Sequence, residues 1–145
     1  QKNAVFDDLT VEDNLRLAGH TLRDSKEFAA RREEVLATLP VLSPLLRRKP
    51  EKMSGGERQM TALAMVVLHR HKLLLLDEPT AGLAEALALE TCKTIEKVQA
   101  TIGASVVFVE HRIELVKPTA SRTISLRLGQ IRTPTKAEEQ RTQIA

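Results

Sequence analysis

Leu73-Leu74-Leu75-Leu76-Asp77-Glu78-Pro79-Thr80 sets four consecutive apolar residues directly ahead of two carboxylates and a chain-breaking proline. A short apolar run closed by a turn signal predicts a β-strand buried on both faces, the pattern of strands in a parallel sheet covered by helices. Four leucines are too few for a buried helix, and Pro79 stops continuation. Two acids at the tip of such a strand stand where open α/β sheets bind their ligands, outside the carboxyl ends of the strands. Alternation along the strand sends Asp77 and Glu78 to opposite sides, so one carboxylate is able to serve Mg²⁺ while its neighbour orients a water. A strand followed by an acidic turn with no chemistry is equally compatible with these residues.

Upstream, Met53-Ser54-Gly55-Gly56-Glu57-Arg58-Gln59 has the Ser-x-x-Glu spacing of a capping box, and Met60, Leu63, Ala64, Val67 and Leu68 then repeat on one helical face. A helix therefore starts at Ser54. Two glycines in its first turn cost roughly 1 kcal/mol each relative to alanine, a poor choice unless something must approach that backbone closely. Exposed N–H groups at a helix N-terminus favour an anion, so the pair of glycines points to a phosphate-facing helix mouth over a purely structural cap.

The two stretches, with Thr80-Ala81-Gly82-Leu83 after the proline, resemble the signature motif and the Walker B/D-loop segment of ABC-type ATPases. Ala104-Ser105-Val106-Val107-Phe108-Val109-Glu110-His111, read as a buried strand ending in a histidine, resembles the switch-histidine segment of the same family. The spacings agree as well, with 22 positions from Gly55 to Asp77 and 33 from Glu78 to His111. The resemblance implies an α/β architecture: a partial P-loop NTPase fold, mostly parallel sheet flanked by helices, plus a helical subdomain. It divides the chain into a Q-loop and helical subdomain over 1–53, the signature helix and C-terminal part of the ATPase core over 54–133, and a polar tail over 134–145.

The same resemblance assigns roles. Asp77 holds Mg²⁺ through water, Glu78 is the general base, His111 senses the γ-phosphate, and Gln1 opens a loop that contacts Mg²⁺ and the attacking water. Ser54, Gly55, Gly56 and Glu57 face the ATP held by a second ATPase subunit. Closure of the pair drives transmembrane permease subunits, whose cytoplasmic helices meet the helical subdomain, so the implied location is cytoplasmic, peripheral at the inner face of the cell membrane. Many family members carry aspartate where Ala84 stands here, a departure that weakens any claim of communication between the two nucleotide sites. Ala84 and the Glu110-His111 ending resemble the branched-chain amino acid and urea-type importers.

The chain is 145 residues long and 42% hydrophobic, enough for one domain with a core, and it shows no apolar run able to span a bilayer and no secretory signal. A single cysteine, Cys92, excludes an internal disulfide framework, and its helical context makes it a packed small residue rather than a nucleophile. The net charge of +3 is mild, and aromatics at 2% with no tyrosine or tryptophan leave little for base stacking, so nucleic acid is not an expected partner. Arg47-Arg48-Lys49 reads as a solvated basic patch, and His20, His69 and His71 as ordinary hydrogen-bonding histidines.

Elsewhere, Thr10 and Asp13 cap a short helix through Val11, Leu15 and Ala18 that Gly19 ends. A charged helix follows over 25–39, and Pro40, Pro44 and Pro50 break up the segment after it. After Ala84 comes a helix with Leu87, Thr91, Ile95, Val98 and Ile102 on one face, stopped by Gly103. A short helix around Ile113, Leu115 and Val116 is cut by Pro118, and 123–131 reads as an edge hairpin turning at Gly129-Gln130.

No Gly-x-x-x-x-Gly-Lys-Ser/Thr phosphate loop occurs in the sequence, and no glycine is followed by lysine. The expectation is that this chain alone binds ATP weakly or not at all and is inactive as an ATPase. Without the strands such a loop brings, the sheet would expose an edge and an apolar flank, favouring self-association. Two other readings stay open: a non-catalytic, naturally truncated interaction module, and a soluble ABC ATPase acting in DNA repair or translation.

Overall fold

Ser54 accepts from the Glu57 backbone N–H through its hydroxyl, while the Glu57 carboxylate accepts from the Ser54 N–H at 2.8 Å, and this completed capping box starts the longest helix of the chain's first half but one. That helix is α3 in a computed structural model that describes residues 5–132. In order, the elements are α1 (Val11–Ala18), α2 (Ser25–Thr38), α3 (Gly55–Val67), β1 (Leu73–Asp77), α4 (Glu85–Ile102), β2 (Ser105–Val109), α5 (Ile113–Val116), β3 (Ser125–Arg127) and β4 (Gln130–Arg132). Short 3₁₀ turns at Gly19–Thr21, Pro40–Leu45 and Pro50–Lys52 fill the proline- and glycine-marked gaps. Among the described residues no helix is long and apolar enough to cross a membrane.

The local signals act where they stand. Thr10 caps α1 by accepting from the Asp13 N–H, and Gly19 ends it. Gly103, at φ 66, supplies the left-handed residue that terminates α4. Asp24, one residue before the expected start, caps α2 by accepting from the N–H groups of Lys26 and Glu27.

The chain divides after Glu110 into two compact units. In the first, β1 and β2 pair in parallel, with Leu74 opposite Val106, Leu76 opposite Phe108 and Asp77 opposite Val109. The face carrying Leu74, Leu76, Val106 and Phe108 joins one core with Val11 and Leu15 of α1, Leu63, Ala64 and Val67 of α3, and Ile95 and Val98 of α4. Cys92 is buried in α4, as its context suggests.

The opposite face corrects the expectation of strands buried on both sides. Leu73 is 51% exposed, Leu75 72%, Val107 49% and Val109 55%. The four-leucine run reflects two faces that are both apolar, of which only one is covered here. An apolar flank is thus open, as expected for a sheet lacking further cover.

In the second unit α5 buries Leu115 and Val116, and β3 and β4 form an antiparallel hairpin. Its turn is Leu128-Gly129, one residue earlier than expected. Both residues have positive φ, 51° and 75°, the backbone a two-residue hairpin loop with right-handed strand twist requires, which places Gln130 inside β4.

Candidate functional site

The N-terminus of α3 brings the glycine pair beside the loop that follows β1. Gly55 is exposed, and a Cβ built on it would lie 3.8 Å from Leu83 Cδ2, an ordinary contact. Gly56 is buried, and its Cβ would lie 2.8 Å from Leu87 Cδ2 and 3.1 Å from Cδ1. The two glycines therefore have different causes. Gly56 is packed against Leu87 of α4 within the chain itself, whereas Gly55 leaves the helix mouth open at the surface.

Glu57, expected to face nucleotide, spends its carboxylate on the cap, with Arg48 Nη1 3.8 Å away. Its pKa is held below the ordinary carboxylate value, first by the Ser54 N–H and then by the Ser54 hydroxyl, with the Arg48 charge adding less. The next residue, Arg58, pairs with Asp7 at 2.9 Å and so ties the loop after residue 4 to the first turn of α3. That loop is itself held by Asn14, fully buried, whose Oδ1 accepts from Phe6 N–H at 2.7 Å and whose Nδ2 donates to the carbonyls of Phe6, Leu9 and Thr10. Gln1, expected to open this loop, lies outside the described residues.

At the tip of β1, Asp77 is exposed and Glu78 half-buried. The Glu78 N–H donates to Val109 O at 2.8 Å, extending the pairing one residue past the strand ends. Glu78 then turns with φ 47, a left-handed backbone that side-chain-bearing residues adopt at a cost and that recurs at functional sites. Pro79 and Thr80 are buried, and the loop closes through Ala81 N–H to Glu78 O at 3.0 Å and Leu83 N–H to Thr80 O at 3.2 Å. Thr80 donates its N–H, at 2.9 Å, and its hydroxyl to Glu110 Oε1.

The structure thus brings Asp77 and Glu78 to one strand tip, in the same unit as Ser54, Gly55, Gly56 and Glu57. His111 is exposed and opens the second unit directly after Glu110. Reading the sequence missed Thr80 and Glu110, because a contact spanning 30 positions leaves no local pattern; the one available signal was a carboxylate placed immediately after an apolar strand.

His69 Nε2 lies 2.8 Å from Ala18 O, the ordinary role expected of it. A groove of 390 Å³ between α3 and β1 is walled mainly by apolar side chains such as Met65, Val66 and Leu75, with Asp77 also in its lining. Walls of this kind suit a hydrophobic segment rather than phosphate.

Comparison with known proteins places these features in a family. Residues 1–81 match the family model described as ABC transporter. The probable branched-chain amino acid transport ATP-binding protein LivF of Archaeoglobus fulgidus is 36% identical over 114 residues, 79% of this chain and 48% of that protein. The molybdenum import ATP-binding protein ModC of Mesorhizobium japonicum is 36% identical over 143 residues, 97% of this chain and 38% of that one. Among solved structures, cbiO1 of Clostridium perfringens, described as part of the ABC transporter complex cbiONQ, superposes with a TM-score of 0.85 at 22% identity, covering 97% of this chain and 55% of its own. The chain therefore spans about half the length, or less, of the relatives it matches, and relatives of differing cargo leave its transport subtype open. Its fold is a partial P-loop NTPase fold of the ABC ATPase cassette kind. With the family model covering residues 1–81 and the acidic strand tip and capped glycine helix in place, this chain belongs to the ABC transporter ATP-binding family.

Proposed function

We propose that this chain is the C-terminal part of an ABC transporter ATPase subunit that couples ATP binding and hydrolysis to solute movement across a membrane, working as a pair of ATPase subunits docked on transmembrane permease subunits at the inner face of the cell membrane. The observation that carries this reading is the strand tip: an exposed and a half-buried carboxylate in succession, the second held at positive φ, within the unit that also presents the open mouth of α3 at Gly55.

On this reading Glu78 takes the proton of the attacking water, and His111, with Gln1, holds the γ-phosphate side. Ser54 and Gly55 offer the helix mouth to the nucleotide bound by the other subunit. Asp77 fits Mg²⁺, since an exposed carboxylate is a hard oxygen donor and this ion is commonly held by one or two carboxylates plus phosphate and water. Bound there, the ion would neutralise charge on the phosphates. Likeness to LivF and the Ala84 and Glu110-His111 pattern support an importer of branched-chain amino acids or similar small solutes; likeness to ModC makes a molybdenum importer the second choice.

The missing phosphate loop sets the test. This chain alone is expected to show no micromolar ATP binding by calorimetry with Mg²⁺, and a protein joining it to a phosphate-loop segment is expected to bind and hydrolyse ATP. Micromolar affinity of the 145 residues alone contradicts the first expectation. A joined protein that folds and binds ATP yet never turns over favours a non-catalytic interaction module instead.

A further inference from the structure

We propose that Glu110 is a positioning residue for the loop that carries Glu78, acting through Thr80; this deepens the reading of Glu78 as general base and rests on it. Thr80 is fully buried, and both its N–H and its hydroxyl donate to the same oxygen of Glu110. Hydrogen bonds to an ionised carboxylate are roughly twice as strong as neutral ones, and these two anchor the loop to the residue that follows β2.

The tie has a specific task. Glu78 sits at φ 47, a backbone that is unfavourable for a residue with a Cβ and persists only when the surroundings hold it. Those surroundings are two consecutive residues at the end of β2. Val109 fixes the backbone at Glu78 itself, through Glu78 N–H to Val109 O at 2.8 Å. Glu110 fixes it two residues later, at Thr80, while Ala81 N–H to Glu78 O closes the turn between them. With the Glu110 carboxylate removed, buried Thr80 loses the single oxygen that accepts both of its hydrogen bonds, and this anchor no longer opposes relaxation of Glu78 out of the left-handed region. A general base displaced by a fraction of an ångström loses catalysis without loss of substrate affinity. Gln at 110 keeps an acceptor oxygen at the same reach and so preserves the geometry.

Amide exchange at Thr80, followed by NMR in this chain, and kcat and KM in the protein joined to a phosphate-loop segment test the proposal in Glu110→Ala, Glu110→Gln, Thr80→Val and Glu78→Gln. Expected for Glu110→Ala are roughly tenfold faster Thr80 exchange and a kcat lower by about 10–100-fold at a KM within about twofold. Glu110→Gln should restore most of both. Thr80→Val, which keeps the fold's shape and the N–H, should lower kcat less and add little on top of Glu110→Ala. Unchanged Thr80 exchange in Glu110→Ala overturns the proposal, as does a kcat untouched by Glu110→Ala while Glu78→Gln abolishes turnover, or a loss that Gln fails to rescue. Turnover surviving Glu78→Gln is a different pattern: it removes the base assignment and the positioning role with it.

Discussion

Gly56 and Leu87 are packed so closely that a Cβ on the glycine would stand 2.8 Å from a leucine methyl, and this contact joins the first turn of α3 to the first turn of α4. One residue earlier, Gly55 has no such neighbour. Gly→Ala in a helix gains up to about 1 kcal/mol in propensity, and overpacking costs about 1–3 kcal/mol, so the two positions should part in sign. Gly55→Ala is expected to be neutral or slightly stabilising in urea melts, and Gly56→Ala destabilising by about 1 kcal/mol, relieved when Leu87→Val is added. Equal effects at both positions would deny the distinction. If Gly55 serves nucleotide, Gly55→Ala should also impair ATP-driven pairing despite its stability.

The Ser54–Glu57 cap should titrate. Because Glu57 has a lowered pKa in the fold, its contribution is fully present above the unfolded carboxylate value, near 4.5, and is lost as pH falls through the folded one. Urea midpoints of Glu57→Gln, which keeps an acceptor for the Ser54 N–H, should therefore depend less on pH below that value than those of the unaltered chain. Parallel curves would contradict the assignment.

Asn14 predicts a larger effect. Its side chain makes four hydrogen bonds to the backbone of residues 6–10 from a fully buried site. Asn14→Ala strands these partners and should cost about 2–3 kcal/mol, and Asn14→Asp, which keeps the acceptor but loses the donors, should not rescue it. A loss below about 0.5 kcal/mol in denaturant melts would show the loop to be held otherwise.

The open sheet face makes a prediction about association. Leu75 and Val107 lie opposite one another on it and are among its exposed residues. Sedimentation of this chain should show concentration-dependent self-association that Leu75→Thr with Val107→Thr reduces. Association unchanged by both substitutions would point to another surface.

What the sequence conveyed follows the range of the interactions. Caps are local, so Thr10, Ser54 and Gly103 were legible as helix punctuation, and the buried stripe Met60, Leu63, Ala64 and Val67 followed from period alone. The strand tip at Asp77 was legible because an apolar run ended in acids. Contacts that join distant segments left no such trace: Glu110 to Thr80, Arg58 to Asp7, and Leu87 against Gly56. The run Leu73–Leu76 was misread for a related reason, since four identical residues carry no alternation to tell a covered face from an open one. Positive φ at Glu78 was illegible, as the residue type argues against it.

The most direct test is ATP turnover by Glu78→Gln in the protein that joins this chain to a phosphate-loop segment, measured alongside ATP-driven pairing of the subunits. Turnover is expected to fall by at least about a hundredfold while pairing persists, because the amide keeps the loop's shape but accepts no proton. Turnover close to that of the unaltered protein would contradict the assignment of Glu78 as general base.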